Sequence, residues 1–174
     1  MKIAVCLPSF NEAQNIQNIT EIVDQGLTSF ILTYPHAQVE ILNIDSNSTD
    51  NTLTLFRETR TSHSKNSIST ESGLGKGRNI LEFCKYVVNN EIDYCVTIDS
   101  DITSATTDWI TRLLEPLIKD RAGYVTPIYE RNRFEGSSTN HFAFPLIYAF
   151  TGYSIRQPIA GDFAFTRKTA YAIL

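Results

Sequence analysis

The sequence predicts an α/β fold in which helices cover both faces of a mostly parallel sheet, and three observations predict it. Apolar runs alternate with stretches of helical periodicity from residue 2 to about residue 129, the pattern of strands joined by crossover helices. Four of the breaks in that pattern carry polar clusters: Pro8-Ser9-Phe10-Asn11-Glu12, Asp45 to Asp50, Gly73 to Gly77, and Asp99-Ser100-Asp101. The chain has 174 residues, 42% hydrophobic and 20% charged, which suits one domain with a substantial core.

Lys2 to Leu7 is a short apolar run and reads as a first buried strand. Beyond it, Ile16, Ile19, Ile22, Val23, Leu27, Phe30 and Ile31 recur at helical spacing ahead of Pro35, giving one long amphipathic helix. Val39 to Ile44 is a second strand that ends in loop and cap residues. Thr52 to Thr59 reads as a short helix and Ile68 to Glu71 as a weak third strand. After the Gly73-Leu74-Gly75-Lys76-Gly77 turn, a helix from about Arg78 to Asn89 has an apolar inner face. Tyr94 to Ile98 is the next strand. Thr107 is placed to cap a helix carrying Trp109, Ile110, Leu113, Leu114 and Leu117, which Pro116 bends or ends. Gly123 to Tyr129 is a further strand, and there the alternation stops. Residues 130 to 140 are polar and irregular, and His141 to Phe150 is aromatic and helical. Two short strands, Ser154 to Ile159 and Phe163 to Thr166, flank Ala160-Gly161-Asp162, and Lys168 to Leu174 begins a last helix.

Composition excludes several function classes. A formal charge of −4 leaves no basic footprint for nucleic acid. An anionic substrate must therefore be held by a metal or by local Lys and Arg. Cys6, Cys84 and Cys95 form no C-x-x-C pair and sit in apolar segments, so they read as buried free thiols of a reducing cytoplasm. No signal peptide opens the sequence, and Phe142 to Phe150 is too short to span a bilayer.

Chemistry concentrates at the strand ends. In a parallel sheet those ends share one edge, so polar clusters distant in sequence converge on one cleft. Asp99 and Asp101 repel each other unless a cation or a set of donors compensates. Mg²⁺ or Mn²⁺ carrying a diphosphate does so economically, and the competing reading makes Asp101 or Thr103 a helix cap. The Gly-rich turn is not a P-loop, because Thr70 and Gly77 stand where Gly and Ser or Thr are needed. Nor is Gly73-x-Gly75-x-Gly77 the dinucleotide fingerprint, whose spacing differs. Backbone N–H groups and the Lys76 ammonium at a helix start suit a phosphate. Asp45 can accept from a base or ribose, and Glu12 can cap a helix or bind a base.

Val5-Cys6-Leu7-Pro8-Ser9-Phe10-Asn11-Glu12, Ile44 to Thr52, Gly75-Lys76-Gly77 and Asp99-Ser100-Asp101 stand in the order and spacing of family 2-type glycosyltransferases, which the sequence resembles over about residues 3 to 105. The resemblance implies a GT-A, Rossmann-like fold. Arg156-Gln157-Pro158-Ile159-Ala160-Gly161-Asp162-Phe163 is similar to the Q-P-x-G-G-E-[FY] segment of mannosylglycerate and glucosyl-3-phosphoglycerate synthases, with Ala160 for a Gly and Asp162 for a Glu. It implies a nucleoside pocket lined by Pro8, Asn11, Glu12 and Asp45, with Lys76 at the diphosphate or ribose. Asp99 would meet ribose or donor sugar, Asp101 the metal, and Asp162 the transferred sugar. A further metal ligand, usually His, follows this segment in the family, whereas His36, His63 and His141 all precede Asp162. The chain is therefore expected to lack the usual C-terminal acceptor and metal segment, which leaves a homodimer open as a way to close the site.

The reaction expected is metal-dependent hexosyl transfer, retaining as in those relatives, from a UDP-, GDP- or ADP-hexose. Arg131 and Arg133 are candidates to hold an anionic acceptor such as a carboxylate or phosphate. If the enzyme inverts instead, Asp162 is the general base. A nucleotidyltransferase would need a Gly-rich, Arg-containing loop after the first strand, which Pro8-Ser9-Phe10-Asn11 is not. A catalytically weak or inactive nucleotide-sugar-binding domain stays open.

Overall fold

The computed structural model describes residues 1–71, 75–129 and 136–174. One six-stranded sheet runs in the order β3-β2-β1-β4-β6-β5. Its strands are β1 (Lys2–Ser9), β2 (Gln38–Asp45), β3 (Ser64–Ser69), β4 (Tyr94–Thr97), β5 (Tyr124–Val125) and β6 (Phe163–Thr166). The first four pair in parallel, and β6 runs antiparallel between β4 and β5. The strand order reverses at β1, with β2 on one side and β4 on the other. Between the carboxyl ends of β1 and β4 lies the crevice where open α/β sheets bind ligands.

Alternation along each strand sends successive side chains to opposite faces, and helices cover both. Ile3, Val5 and Leu7 pack with Ile16, Ile19, Val23, Leu27 and Phe30 of α1 (Ile16–Thr33) and with Ile110, Leu113 and Leu117 of α4 (Asp108–Lys119). Ala4, Cys6, Leu42 and Cys95 face the other way, onto Phe83, Cys84 and Val87 of α3 (Gly75–Asn89) and Ala170 of α6 (Arg167–Ile173). Burying each of the large aliphatic or aromatic side chains contributes about 1.5–3 kcal/mol. All three cysteines are free and buried, as expected. Helix α1 approaches α4 closely at Gly26, where a Cβ would lie 2.6 Å from the Thr107 carbonyl oxygen.

The first long helix, the second strand and the short helix α2 (Thr52–Glu58) lie where periodicity placed them. The third strand starts earlier than expected, at Ser64, pairing Ser64 to Ser69 with Glu40 to Asp45. Its polar run, Ser64-Lys65-Asn66-Ser67, forms a strand because it sits at the sheet edge. The strand expected over Gly123 to Tyr129 pairs only at Tyr124–Val125; Pro127 has no N–H to continue a ladder. Ser154 to Ile159 is not a strand, and turns around Gln157 and Pro158 instead, with the Ala160 N–H bonded to the Gln157 carbonyl at 3.2 Å. Thr107 holds the cap position of α4 without a side-chain bond to it. The aromatic stretch is a π-helical segment, Ser138–Ala143, continuing into α5 (Phe144–Thr151). Among the described residues, no helix is long and apolar enough to cross a membrane.

Candidate active site

The acidic turn after β4 is fastened on two sides. The Ser100 hydroxyl donates to the Pro8 carbonyl at 2.7 Å, tying the turn to the end of β1. The Asp99 N–H donates to Asp162 Oδ1 at 2.9 Å, tying it to the residue before β6. Asp101 is exposed and lines a cleft of about 410 Å³ together with Pro8, Phe10, Glu12, Lys76 and Asp99. Residues from the carboxyl ends of β1 and β4 and from the start of α3 thus share one wall, as convergence at a sheet edge requires.

Helix α3 opens at Gly75, whose φ of 67° is a backbone shape that glycine adopts without strain. This places Lys76 in the first turn, where its ammonium pairs with Asp99 Oδ1 and donates to the Gly161 carbonyl at 3.2 Å. The two side chains are 39% and 30% exposed, so the pair adds little to stability and remains open to an incoming ligand. At Gly161 a larger residue would have to displace the Lys76–Asp99 pair from its present position. A Cβ would overlap the Asp99 carboxylate and lie 2.7 Å from the Lys76 ammonium.

Asn11 and Asp45 do not line this cleft; they stitch together the loops behind it. Asn11, at φ 57°, donates its N–H to Ser48 Oγ at 2.8 Å and accepts the Thr49 N–H at 2.9 Å. Asp45 is 1% exposed and accepts bonds from the Ser9 hydroxyl (3.0 Å), the Ser48 N–H (2.8 Å) and the Ser48 hydroxyl (2.5 Å). Glu12 accepts from the Asn15 side-chain amide at 3.0 Å and lines the cleft.

A second cavity, about 690 Å³, opens on the other side of Asp99 and is walled by Trp109, Arg112, Ile128, Tyr129, Ile159 and Asp162. Asp162 is 2% exposed, and its second oxygen accepts the Tyr129 hydroxyl. Burial pushes its carboxyl above the usual carboxylate range, against the pull of the Tyr129 hydroxyl and the Asp99 N–H. Arg131, Arg133 and Gly73 lie outside the described residues.

Sequence reasoning missed Asn79, Tyr129 and Arg112. Asn79 is 2% exposed on α3; it donates to the Ile44 carbonyl (3.0 Å) and accepts from Ser46 and Thr70 (both 3.0 Å), seating the helix on the end of β2. Its signal was a polar residue beside the apolar face of that helix. Tyr129 carried none, since its partner is far off in sequence.

The chain matches the family model described as glycosyl transferase family 2 over residues 4–171. It belongs to that family. Among solved structures, this family 2 chain is similar to the glucosyl-3-phosphoglycerate synthase of Mycobacterium tuberculosis, with 24% identity and a TM-score of 0.72 over 96% of this chain and 58% of that one. The same enzyme in complex with Mn²⁺, uridine diphosphate and phosphoglyceric acid gives 25% identity and a TM-score of 0.70, over 96% and 56%. A mycobacterial protein gives 24% and 0.75, over 96% and 54%. The family 2 chain thus spans a little over half the length of these structures. They share the GT-A arrangement expected from its sequence. No curated protein matches the chain by sequence.

Proposed function

We propose that this family 2 chain transfers a hexose from a nucleoside-diphosphate sugar to an acceptor hydroxyl. One observation carries the reading: Asp99 is the common wall of two cavities, with Lys76, Glu12 and Asp101 in one and Asp162 and Tyr129 in the other. A donor in the first and an acceptor in the second would meet at Asp99.

In this reading the base lies against Pro8 and Glu12, and the diphosphate lies at Lys76 and the N-terminal end of α3, where backbone N–H groups and an ammonium favour negative charge. Among the described residues, no three His, Cys, Asp or Glu side chains form a cage, and the exposed Asp101 carboxylate suits Mn²⁺ or Mg²⁺ shared with phosphate oxygens and water. Such a cation, when bound, would supply neutralisation of the charge that builds on the leaving phosphate. Lys76 supplies a second positive charge once the diphosphate draws it from Asp99. UDP is the nucleotide of choice because the similar mycobacterial enzyme is complexed with it.

As the bond from the sugar's anomeric carbon to the β-phosphate oxygen breaks, the acceptor oxygen bonds to that carbon and its proton passes to the departing phosphate. Asp162 favours this retaining course over inversion. It is buried, and both its oxygens already accept bonds from Asp99 and Tyr129, so it is poorly placed to take a proton from an incoming acceptor. Arg131 and Arg133 remain the residues proposed to hold an anionic acceptor, and three buried thiols suit a reducing cytoplasm.

Incubation with UDP-glucose, Mn²⁺ and either glycerate or 3-phosphoglycerate tests the reading. UDP release that depends on the acceptor, with the sugar found on it in the α configuration, is the expected result. Binding of the donor without acceptor-dependent release would replace it with the nucleotide-sugar-binding reading.

A further inference from the structure

We propose that Tyr129 is a positioning residue that ties the acceptor-side cavity to the acidic turn of the donor cleft; the proposal rests on the transfer reading above. Its hydroxyl donates to Asp162, whose other oxygen accepts the Asp99 N–H at 2.9 Å, and the Asp99 carboxylate holds Lys76. None of these links is local in sequence. Tyr129 follows β5, Asp162 precedes β6 and Asp99 follows β4, three strands adjacent in the sheet. Register brings them together: Phe163 pairs with Thr97, and Ala164 with both Val96 and Val125.

The chemistry of the strap argues for use rather than packing. A buried carboxylate is costly even when bonded, and here it adjoins a second one, Asp99. A neutral Asn could accept the same Asp99 N–H at lower cost. What the charge adds is a stronger hold on that N–H and on the Tyr129 hydroxyl, which fixes the direction in which the acidic turn faces the donor. At its other end the strap reaches the acceptor side. The Tyr129 ring lies 6.0 Å from that of Trp109, and both residues wall the acceptor-side cavity. Neither lines the donor cleft. Hydrogen bonds run from the Asp99 turn to Tyr129, and a ring contact continues to Trp109, so a shift of that turn on donor binding is expected to reach Trp109 through Tyr129.

Trp109 is the one tryptophan in the chain, so its indole N–H gives a single signal in ¹⁵N-edited NMR. The labelled full chain is titrated with UDP, GDP and ADP, each with Mg²⁺, while calorimetry gives the affinity. In the wild type, the nucleotide that binds should move the Asp99 amide and the Trp109 indole with one midpoint. In Tyr129→Phe, affinity should stay within about threefold, yet the indole displacement should fall to less than a third. A merely structural tyrosine would lower the melting temperature and leave the indole response of the folded protein intact. Binding with an unmoved wild-type indole, or a Tyr129→Phe response equal to the wild type, overturns the proposal alone, and the first of these needs no variant. Failure of all three nucleotides to bind overturns the transfer reading, and this proposal with it.

Discussion

The Lys76 ammonium is paired with the Asp99 carboxylate, which among the described residues is the one acid that walls both cavities, and Gly161 supplies the ammonium's second contact through its carbonyl. The pair is half-open to solvent, which fits a contact made to be exchanged. In the proposed transfer, an entering diphosphate would give Lys76 a more highly charged partner and release Asp99 toward the sugar.

Lys76→Met should therefore leave the unfolding free energy within about 1 kcal/mol of the wild type, as befits a solvent-screened pair. Affinity for UDP should fall about tenfold or more, while that for uridine stays unchanged. Calorimetry with the two ligands checks this, and an equal loss for both would remove Lys76 from the diphosphate.

At Gly161 the constraint is steric. Gly161→Ala forces a methyl group into the Asp99 carboxylate and the Lys76 ammonium, so it should weaken UDP binding at least as much as Lys76→Met. Because both side-chain ends can swing aside, the stability cost should be no more than about 1 kcal/mol. Gly123→Ala is the control, since a Cβ there meets only Thr169 Oγ1, at 3.5 Å. Equal behaviour of the two alanine variants would show the crowding to be harmless.

Asp45 acts on the fold first. Removing its carboxylate in Asp45→Ala leaves the Ser9 hydroxyl and the Ser48 N–H without their partner, at a cost of about 1–3 kcal/mol. Urea denaturation measures this, and Asp45→Asn should recover part of it. A variant as stable as the wild type that had lost UDP binding would restore Asp45 to the nucleoside pocket.

Asp162 gives the site a pH signature. Burial lifts its carboxyl above the ordinary value of 3.8, so the folded chain holds that proton more tightly than the unfolded one. Its contribution to stability is present in acid and is lost as pH rises through the folded pKa. The stability difference between wild type and Asp162→Asn should accordingly move in the variant's favour as pH rises from about 3. Chemical denaturation at several pH values reads this, and a difference independent of pH would contradict it.

Much of the architecture was legible because it depends on period. Ile16 to Phe30 recur at helical spacing and pack on alternate residues of β1, so both elements could be read from local pattern. The cluster at the sheet edge followed from topology, which brought Pro8, Glu12, Lys76, Asp99 and Asp101 to one cleft. What escaped depends on contacts without a local signature. Ser64 to Ser67 is polar, and only its place beside β2 makes it a strand. The bonds from Ser9 and Ser48 to Asp45, which fasten the end of β2 to that of β1 and to its own loop, likewise had no signal in the sequence. The Tyr129 bond to Asp162 crosses from the end of β5 to the start of β6, a register that no spacing in the sequence encodes.

The central claim is that Asp101 makes donor binding metal-dependent in the cleft between β1 and β4. Calorimetric titration of UDP-glucose into wild type and Asp101→Asn, each with and without Mn²⁺, tests it most directly. The wild type should bind at least tenfold more tightly with Mn²⁺, and Asp101→Asn should bind equally with and without it while melting at the wild-type temperature. A full Mn²⁺-dependent gain in Asp101→Asn would contradict the account.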